Sequence, residues 1–288
     1  MSDRVALCLN SSFLGFFAHA GFLEALTETG VRPVALSGAS AGALVAGAHA
    51  SGLHPREITQ WLLAGNLGGA FWEWGGVWRA FRTMMNRRGH TGMLRGHHAL
   101  AMLRERLGEC RIEDCRPRLA LSATELTHPR AALLTTGPLA EGILASGAFP
   151  GMFAAQRIGG GHYWDGGLVN PLPFDHWLDD PGIDTIIVHV VTNPVEAPQP
   201  ARMRVMLAFG AAHEAICDEL LRLKTALAHH AGKRLIFLRT TAPRPLPWNT
   251  ARTGPRCVEA GAATVAQNRE QLLSLLSAAQ RAAAMPPA

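Results

Sequence analysis

The sequence has almost no lysine and no long apolar run. Of its 27 lysine and arginine residues only Lys224 and Lys233 are lysines, although the net charge is +5. No stretch of about 18 or more uncharged apolar residues occurs, so we predict no transmembrane helix. The first four residues lead directly into Val5–Leu9, a run too short for the core of a signal peptide. We therefore expect a cytoplasmic protein, with peripheral membrane contact as an option.

Regular cysteine spacing is also missing. The five cysteines are scattered and odd in number, which does not indicate a disulfide framework: Cys8, Cys110, Cys115, Cys217 and Cys257. Cys110 and Cys115 are separated by four residues, which loosely resembles one ligand pair of a metal site. No second Cys or His pair follows at zinc spacing, so we predict no metal site and keep this pair as the alternative.

The basic charge has two interpretations. Enrichment in Ala, Gly, Pro and Arg is typical of a GC-rich coding bias, so a pI near 9.3 can arise from composition alone. The charge can also attract the protein to an anionic lipid surface. Nucleic acid is not an expected partner, because no basic stripe with interleaved aromatic residues occurs.

Apolar strand patterns alternate with helical ones along most of the chain. With 48% hydrophobic and 17% charged residues, one domain over 1–288 can bury a large core. The alternation predicts an α/β sandwich with a mostly parallel sheet. The predicted strands cover 5–9, 34–37, 118–124, 131–135, 185–191 and 235–239. The predicted helices cover 15–28, 41–51, 54–63, 98–107, 139–145, 202–231 and 254–285.

Residues 65–95 differ from the rest in being rich in Trp, Phe, Met and Gly, and we predict a cap or insertion rather than sheet. On a helix, five of its side chains would form one apolar stripe: Phe71, Trp74, Trp78, Phe81 and Met85. Four arginines accompany them: Arg79, Arg82, Arg87 and Arg88. We favour a stripe buried as core, and the alternative is an amphipathic helix that contacts an anionic membrane through 71–88.

The first candidate for chemistry is Gly38-Ala-Ser-Ala-Gly42, between an apolar strand and a helix. A nucleophile on such a turn has a strained backbone and needs small neighbours, which Gly38 and Gly42 provide. The helix that begins at Ala41 points free N–H groups toward the Ser40 hydroxyl. The pattern favours Ser40 as a nucleophile, and the alternative is a strand–helix turn without chemistry.

The second candidate is Asp165, which is followed by two glycines in the stretch from Tyr163 to Pro173. A carboxylate on a tight glycine turn can approach another backbone closely and accept the Ser40 proton. With an ordinary pKa of about 3.9 it is a weak base, so Trp164 or Phe149 would have to desolvate it. The alternative is an ordinary Asp-Gly turn.

A Ser–His–Asp triad is a less favoured reading. In an α/β-hydrolase the nucleophile follows several strands, whereas Ser40 follows only one predicted strand. His176, His189 and His213 are available, but none lies in a recognisable catalytic context. His189 lies within an apolar strand, which is typical of a core residue.

Four stretches together resemble the patatin-like phospholipase family over about 5–193: the loop after the first strand, Gly38–Gly42, Ala145–Phe153, and Asp165-Gly-Gly167 with Asn170-Pro-Leu-Pro173. The resemblance implies a three-layer α/β/α sandwich with a helical extension over about 201–288. It implies that Ser40 is the nucleophile and Asp165 its general base. Gly166 and Gly167 support the motif, and no metal or cofactor is required.

The loop from Asn10 to Gly21 departs from the family pattern, which is rich in glycine and carries a basic residue. The resemblance assigns the oxyanion hole to backbone N–H groups of this loop, by alignment those of Leu14, Gly15 and Phe16. His19 matches a family tendency for His or Tyr, and we expect it to pack rather than react.

The sequence thus predicts a serine lipid acyl hydrolase of the phospholipase A or lysophospholipase type, which cleaves carboxylic esters through an acyl-enzyme. Its partner would be a lipid or another acyl ester. An acyltransferase would use the same dyad with an alcohol as acceptor. A lipid-binding or regulatory protein would keep the scaffold without the reaction.

Overall fold

The computed structural model describes residues 4–65, 76–85, 91–193, 205–246 and 249–276. Its strands are β1 (Val5–Leu9), β2 (Ala35–Ala39), β3 (Gly92–Leu94), β4 (Arg118–Glu125), β5 (Arg130–Leu134), β6 (Gly151–Phe153), β7 (Gln156–Ile158), β8 (Gly161–Asp165), β9 (Thr185–Thr192) and β10 (Arg234–Thr241). Its helices are α1 (Phe16–Glu28), α2 (Ala41–Ala50), α3 (Pro55–Ala64), α4 (Gly76–Met84), α5 (His97–Leu107), α6 (Leu139–Ser146), α7 (Val205–His230), α8 (Thr250–Gln267) and α9 (Arg269–Leu273).

The main sheet has the order β10-β9-β1-β2-β4-β8-β7, with β5 also paired to β4. The strands from β10 to β4 are parallel, whereas β5 and β8 run antiparallel to β4, and β7 antiparallel to β8. A separate pair joins β3 to β6. Because neighbouring parallel strands end at the same edge, the loops after β1 and β2 lie side by side there.

Successive residues of the central strands pack on opposite faces of the sheet. Leu7 and Leu9 of β1 belong to the larger core, which also contains residues of α1, α2, α3 and α8. Ala6 and Cys8 belong to a smaller core, which packs against Leu221 of α7. Burial on both faces explains why these strands are apolar throughout. The predicted three-layer α/β/α sandwich with a mostly parallel sheet is confirmed.

The C-terminal helices differ from the prediction of one helix over 254–285. That prediction is wrong, because α8 ends at Gln267 and α9 begins after Asn268. Helix α8 packs closely on α1, since a Cβ added to Gly21 would lie 2.1 Å from the carbonyl oxygen of Val258. Of the helices in the described residues, none has the length and apolarity to cross a bilayer.

The prediction for residues 65–95 is wrong in two respects. Its last residues do form sheet, because β3 pairs with β6. The stripe is not core where the structure describes it, since Trp78 is 63% exposed and Phe81 49% exposed. Phe71, Trp74, Arg87 and Arg88 lie outside the described residues.

Three short strands, β6, β7 and β8, are absent from the sequence prediction. They are only three to five residues long and contain glycine and polar side chains, so their period-two pattern is weak. Strand β8 exists because β4 offers it a partner. It carries Asp165 as its last residue, which decides where that carboxylate lies.

Candidate active site

Ser40 lies on a sharp turn between β2 and α2. Its backbone has φ 53° and ψ −116°, in a region that residues with a side chain rarely adopt. Its N–H donates to Oγ of Ser146 over 3.0 Å, and this hydroxyl donates to the carbonyl of Ser122 over 2.6 Å. The strained turn is therefore tied to α6 and, through it, to β4.

Gly38 and Gly42 allow the turn to be this tight. A Cβ added to Gly38 would lie 2.5 Å from the carbonyl carbon of Gly42. A Cβ added to Gly42 would lie 2.2 Å from the carbonyl oxygen of Leu9, at the end of β1. Both contacts are with backbone, which cannot move aside as a flexible side chain can. The close approach of β1, β2 and α2 therefore requires glycine at both positions.

Strands β2 and β8 meet end to end beside β4. Because β5 occupies one edge of β4 over 121–125, β2 and β8 share the other edge in succession. Ala39 is paired with Ser122, and Asp165 with the next residue, Ala123. Since β2 is parallel and β8 antiparallel to β4, their carboxyl ends point at each other. This arrangement brings Ser40 and Asp165 together although they are distant in sequence.

The Asp165 carboxylate is buried, with 3% of the residue exposed. Burial raises its pKa to about 6, although hydrogen bonds from the Ser40 hydroxyl and the N–H of Gly167 oppose the rise. The Gly167 bond, to Oδ1, is 2.7 Å long. The Asp165 backbone is held as well, because its N–H donates to Ala148 and its carbonyl accepts the Thr124 hydroxyl.

Gly166 and Gly167 lie where the Asp165 turn contacts neighbouring segments. A Cβ on Gly166 would lie 2.2 Å from the carbonyl oxygen of Ser122. A Cβ on Gly167 would lie 2.1 Å from Oγ of Ser11, in the loop after β1. The glycine pair therefore lets the turn fit between β4 and that loop.

The loop after β1 brings further donors to this edge of the sheet. Leu14 has a left-handed backbone with φ 52°, and Gly15 directly precedes α1. The N–H of Gly15 reaches the Ser12 carbonyl over 3.5 Å, a long contact, and α1 begins at Phe16. Neither α1 nor α2 has a side-chain hydrogen bond at its N-cap. Two helix N-termini, each with a partial positive charge, thus begin at the edge that holds Ser40.

Lys224 of α7 is a residue that sequence reasoning missed. Its Nζ donates to Oδ1 of Asn170 over 2.7 Å and to the carbonyl of Leu172 over 2.6 Å, and pairs with Asp175 at 2.6 Å. Between these residues, Pro171 accepts the N–H of Ser11 over 3.0 Å. The lysine therefore holds residues 170–172, which follow the Asp165 turn and are hydrogen-bonded to the loop after β1. Its rarity in the sequence was the only available signal.

The structure gives the partners of two histidines and of the cysteine pair that the sequence offered as alternatives. Within the described residues, His176 and His189 make no hydrogen bond to Ser40 or Asp165; His189 bonds to another histidine and His176 packs on Trp177. The side chain of His213 lies outside the described part. Cys110 and Cys115 are free thiols with sulfur atoms 3.8 Å apart. The described residues contain no cluster of three or more His, Cys, Asp or Glu side chains fit for a metal ion.

The chain thus combines a mostly parallel α/β sheet with a strained serine and a buried aspartate at the carboxyl edge of that sheet. The family model described as patatin-like phospholipase matches residues 7–177. The chain belongs to the patatin-like phospholipase family. Both Ser40 and Asp165 lie within the matched residues.

The chain is similar to curated proteins in sequence and to a solved structure in fold. Uncharacterized NTE family proteins of Mycobacterium tuberculosis and Mycobacterium bovis are 32% identical over 173 residues, which is 60% of this chain and 45% of theirs. The chain thus spans less than half the length of these curated relatives. The crystal structure of VipD from Legionella pneumophila has a TM-score of 0.50 at 18% identity, and the match covers 93% of this chain and 67% of VipD. That likeness concerns the fold.

Proposed function

We propose that this protein hydrolyses carboxylic esters of lipids through a Ser40–Asp165 dyad and an acyl-enzyme. The observation that carries the proposal is the end-to-end meeting of β2 and β8. It sets the strained serine against a buried carboxylate, at an edge where two helices begin. Membership of the patatin-like phospholipase family supports a lipid as the substrate.

The reaction begins when Oγ of Ser40 attacks the ester carbonyl and its proton passes to Asp165. Backbone N–H groups of Leu14, Gly15 and Phe16, together with those at the start of α2, stabilise the negative oxygen of the tetrahedral intermediate. The carbon–oxygen bond to the alcohol then breaks, and the departing alcohol takes the proton from Asp165. An acyl ester of Ser40 remains.

Water completes the cycle. Asp165 accepts a proton from the water molecule as its oxygen attacks the acyl-enzyme, and returns the proton to Oγ of Ser40 when the carboxylic acid leaves. With its pKa raised to about 6, Asp165 is a better base than an ordinary carboxylate and is still ionised near neutral pH.

The test is labelling with a fluorophosphonate, followed by release of p-nitrophenol from short-chain and long-chain acyl esters. We expect the wild type to label, Ser40→Ala to lose labelling and turnover, and Asp165→Asn to slow both by about 10²- to 10⁴-fold. A folded wild type that does not label would favour the lipid-binding alternative. A labelled wild type that transfers acyl groups to added alcohols faster than to water would favour an acyltransferase.

We further propose that α4 contacts anionic membranes, within the region 71–88. Trp78 and Phe81 stack with their ring centres 5.8 Å apart and are largely exposed, as is Met84 at 76%. Arg79 and Arg82 lie on the same helix. Exposed aromatic rings with arginines suit the boundary between lipid headgroups and acyl chains.

Co-sedimentation with vesicles tests this contact. Anionic vesicles should bind the wild type at low salt, neutral vesicles should bind it less, and Trp78→Ala with Phe81→Ala should reduce binding at least several-fold. Leu227→Ala, which removes an exposed apolar side chain from α7, is the matched control and should bind like the wild type. Equal binding by all variants would contradict the role of α4.

A further inference from the structure

Two histidines that the proposed reaction does not use form a buried pair. His19 of α1 and His189 of β9 are fully buried, and their Nδ1 atoms are 2.9 Å apart. Nε2 of His19 lies 3.0 Å from the carbonyl oxygen of Asn10, and Nε2 of His189 lies 2.8 Å from Oγ1 of Thr240. Thr240 in turn lies 2.6 Å from Oγ1 of Thr264. Five residues thus form one continuous chain of hydrogen bonds.

The directions of the bonds from Asn10 to Thr240 follow from the end at Asn10. Beyond Thr240, the Thr264 hydroxyl lies within hydrogen-bond distance of both Thr240 and the Ala260 carbonyl, 3.1 Å away. A carbonyl oxygen only accepts, so Nε2 of His19 carries the hydrogen. In a neutral ring Nδ1 of His19 is then an acceptor, which requires His189 to donate from its own Nδ1. Nε2 of His189 is therefore an acceptor, and the Thr240 hydroxyl donates to it. The two neutral histidines are opposite tautomers.

Burial excludes the charged alternatives. It lowers the pKa of His19 to about 3, and lowers that of His189 well below its ordinary value. The ring of Phe22 stacks on His189 with centres 3.8 Å apart, which keeps water from that face. Both rings are therefore neutral near neutral pH.

His19 bonds to both ends of the loop proposed to hold the oxyanion. Its side chain donates to the carbonyl of Asn10, the first residue after β1, and its backbone N–H donates to the carbonyl of Gly15 over 3.1 Å. Asn10 is also fixed to β9, because its Oδ1 accepts the N–H of Val191 over 2.9 Å. Leu14, between the two ends, has the left-handed backbone. The path of the loop depends on where these ends are held.

We propose that His19, oriented by His189 and Thr240, is a positioning residue that holds the Asn10 carbonyl and thereby aligns the backbone donors of the oxyanion loop. This inference rests on the proposed function, because it assigns the loop a part in the reaction. His19 touches no reacting atom. Its effect reaches the site through Asn10 and the turn at Leu14.

Two variants separate this role from a merely structural one. His19→Gln can place a side-chain N–H where Nε2 stood, whereas His19→Asn can reach His189 but not the Asn10 carbonyl. Each variant keeps one of the two side-chain bonds, so both should lower Tm. We expect His19→Gln to keep kcat within about threefold, and His19→Asn to lose about 10- to 100-fold in kcat with KM little changed.

The tautomers can be measured without any activity. Nitrogen-15 NMR of the wild type should show His19 protonated on Nε2 and His189 protonated on Nδ1. The variants His19→Asn and His189→Asn assign the two signals. Identical tautomers would overturn the proposal. If the wild type reacts with fluorophosphonate, equal kcat values for His19→Gln and His19→Asn would also overturn it. A wild type that does not react at all would instead overturn the proposed function on which this inference rests.

Discussion

At the scale of single residues, backbone strain is concentrated at the proposed site. Among the described residues, Leu14 and Ser40 are the only non-glycine residues with positive φ, at 52° and 53°. Such a conformation costs about 1–3 kcal/mol and persists only where the surrounding structure enforces it. Leu14 is buried in the larger core, and Ser40 is tied to Ser146. Both strained residues follow neighbouring parallel strands, so the strain lies where the reaction would occur.

The raised pKa of Asp165 predicts how the rate depends on pH. The base must be ionised, so kcat/KM for a p-nitrophenyl ester should rise with pH and level off above about 6. The variant Asp165→Asn should be slower and should lack this step. A wild-type profile that is flat from pH 4 to 8 would contradict the role of Asp165 as the base.

The same pKa predicts an effect on stability. Because the pKa of Asp165 is raised from 3.8 to about 6, protonation of this carboxyl group favours the folded state. This stabilisation is fully present below about pH 4 and is lost as the pH rises through 6. Asp165→Asn avoids burying the charge, so at pH 8 it should exceed the wild type by up to roughly 3 kcal/mol in free energy of unfolding. Denaturant titrations from pH 4 to 8 measure the difference.

Asp184 provides a control of opposite sign. Its pKa is lowered to about 2, first by the hydrogen bond from the Arg4 side chain. Its contribution is present above its unfolded pKa near 3.8 and is lost as the pH falls through 2. Asp184→Asn should therefore be less stable than the wild type at pH 8. An Asp165→Asn variant that behaved in the same way would show that its charge is not costly in the folded protein.

At the scale of secondary-structure elements, the site is produced by strand ends and helix starts. Strands β1 and β2 are parallel neighbours, so α1 and α2 both begin at one edge of the sheet. Their partial positive charges add at this edge, where an oxyanion would form. The antiparallel β8 then brings Asp165 to the same edge from the opposite direction.

Gly42→Ala tests the close contact between these elements. Its Cβ would lie 2.2 Å from the carbonyl oxygen of Leu9, so α2 has to move away from β1. We expect a loss of about 1–3 kcal/mol in stability and at least a tenfold slower reaction with fluorophosphonate. Gly160→Ala, whose Cβ meets nothing within 4 Å, should behave like the wild type. Full reactivity in Gly42→Ala would show that the elbow tolerates displacement of α2.

At the scale of the whole molecule, the part beyond the matched residues 7–177 helps to hold the site. Lys224 on α7 bonds to Asn170 and Leu172, in the segment that follows the Asp165 turn. Lys233 bonds to the carbonyls of Asp180 and Ile183, both over 2.7 Å. The two lysines of the sequence therefore both bind the segment that runs from the Asp165 turn to β9. A compact ammonium group with three donors suits several carbonyl oxygens at once.

Lys224→Met is expected to lower both stability and rate. It leaves the buried Leu172 carbonyl and the half-buried Asn170 side chain without this donor, and the buried acceptor alone costs about 1–3 kcal/mol. Because Pro171 bonds to Ser11, kcat should also fall. Lys233→Met is the matched control, since it removes a similar pair of bonds to residues farther along the chain from Asp165. Thermal unfolding and ester turnover distinguish the two; an equal kcat in both variants would show that Lys224 acts on stability alone.

Much of the fold, and the identity of both candidate catalytic residues, can be predicted from local patterns. Val5–Leu9 and Thr185–Thr192 are apolar throughout because both faces of a central parallel strand are buried. Gly38 and Gly42 stand out around Ser40 because only small residues permit that turn. The interpretation of Trp78 and Phe81 as core failed, because an apolar stripe specifies a helix face and not what covers it.

The sequence by itself therefore determined the alternation of elements, the elbow and the family resemblance, since each depends on residues close together in the chain. Only the tertiary structure decided that Asp165 meets Ser40, because this requires β2 and β8 to share one edge of β4. The same holds for the raised pKa of Asp165, the His19–His189 pair and the bonds of Lys224. Burial, and contacts between residues distant in sequence, leave no periodic signal that the chain alone could show.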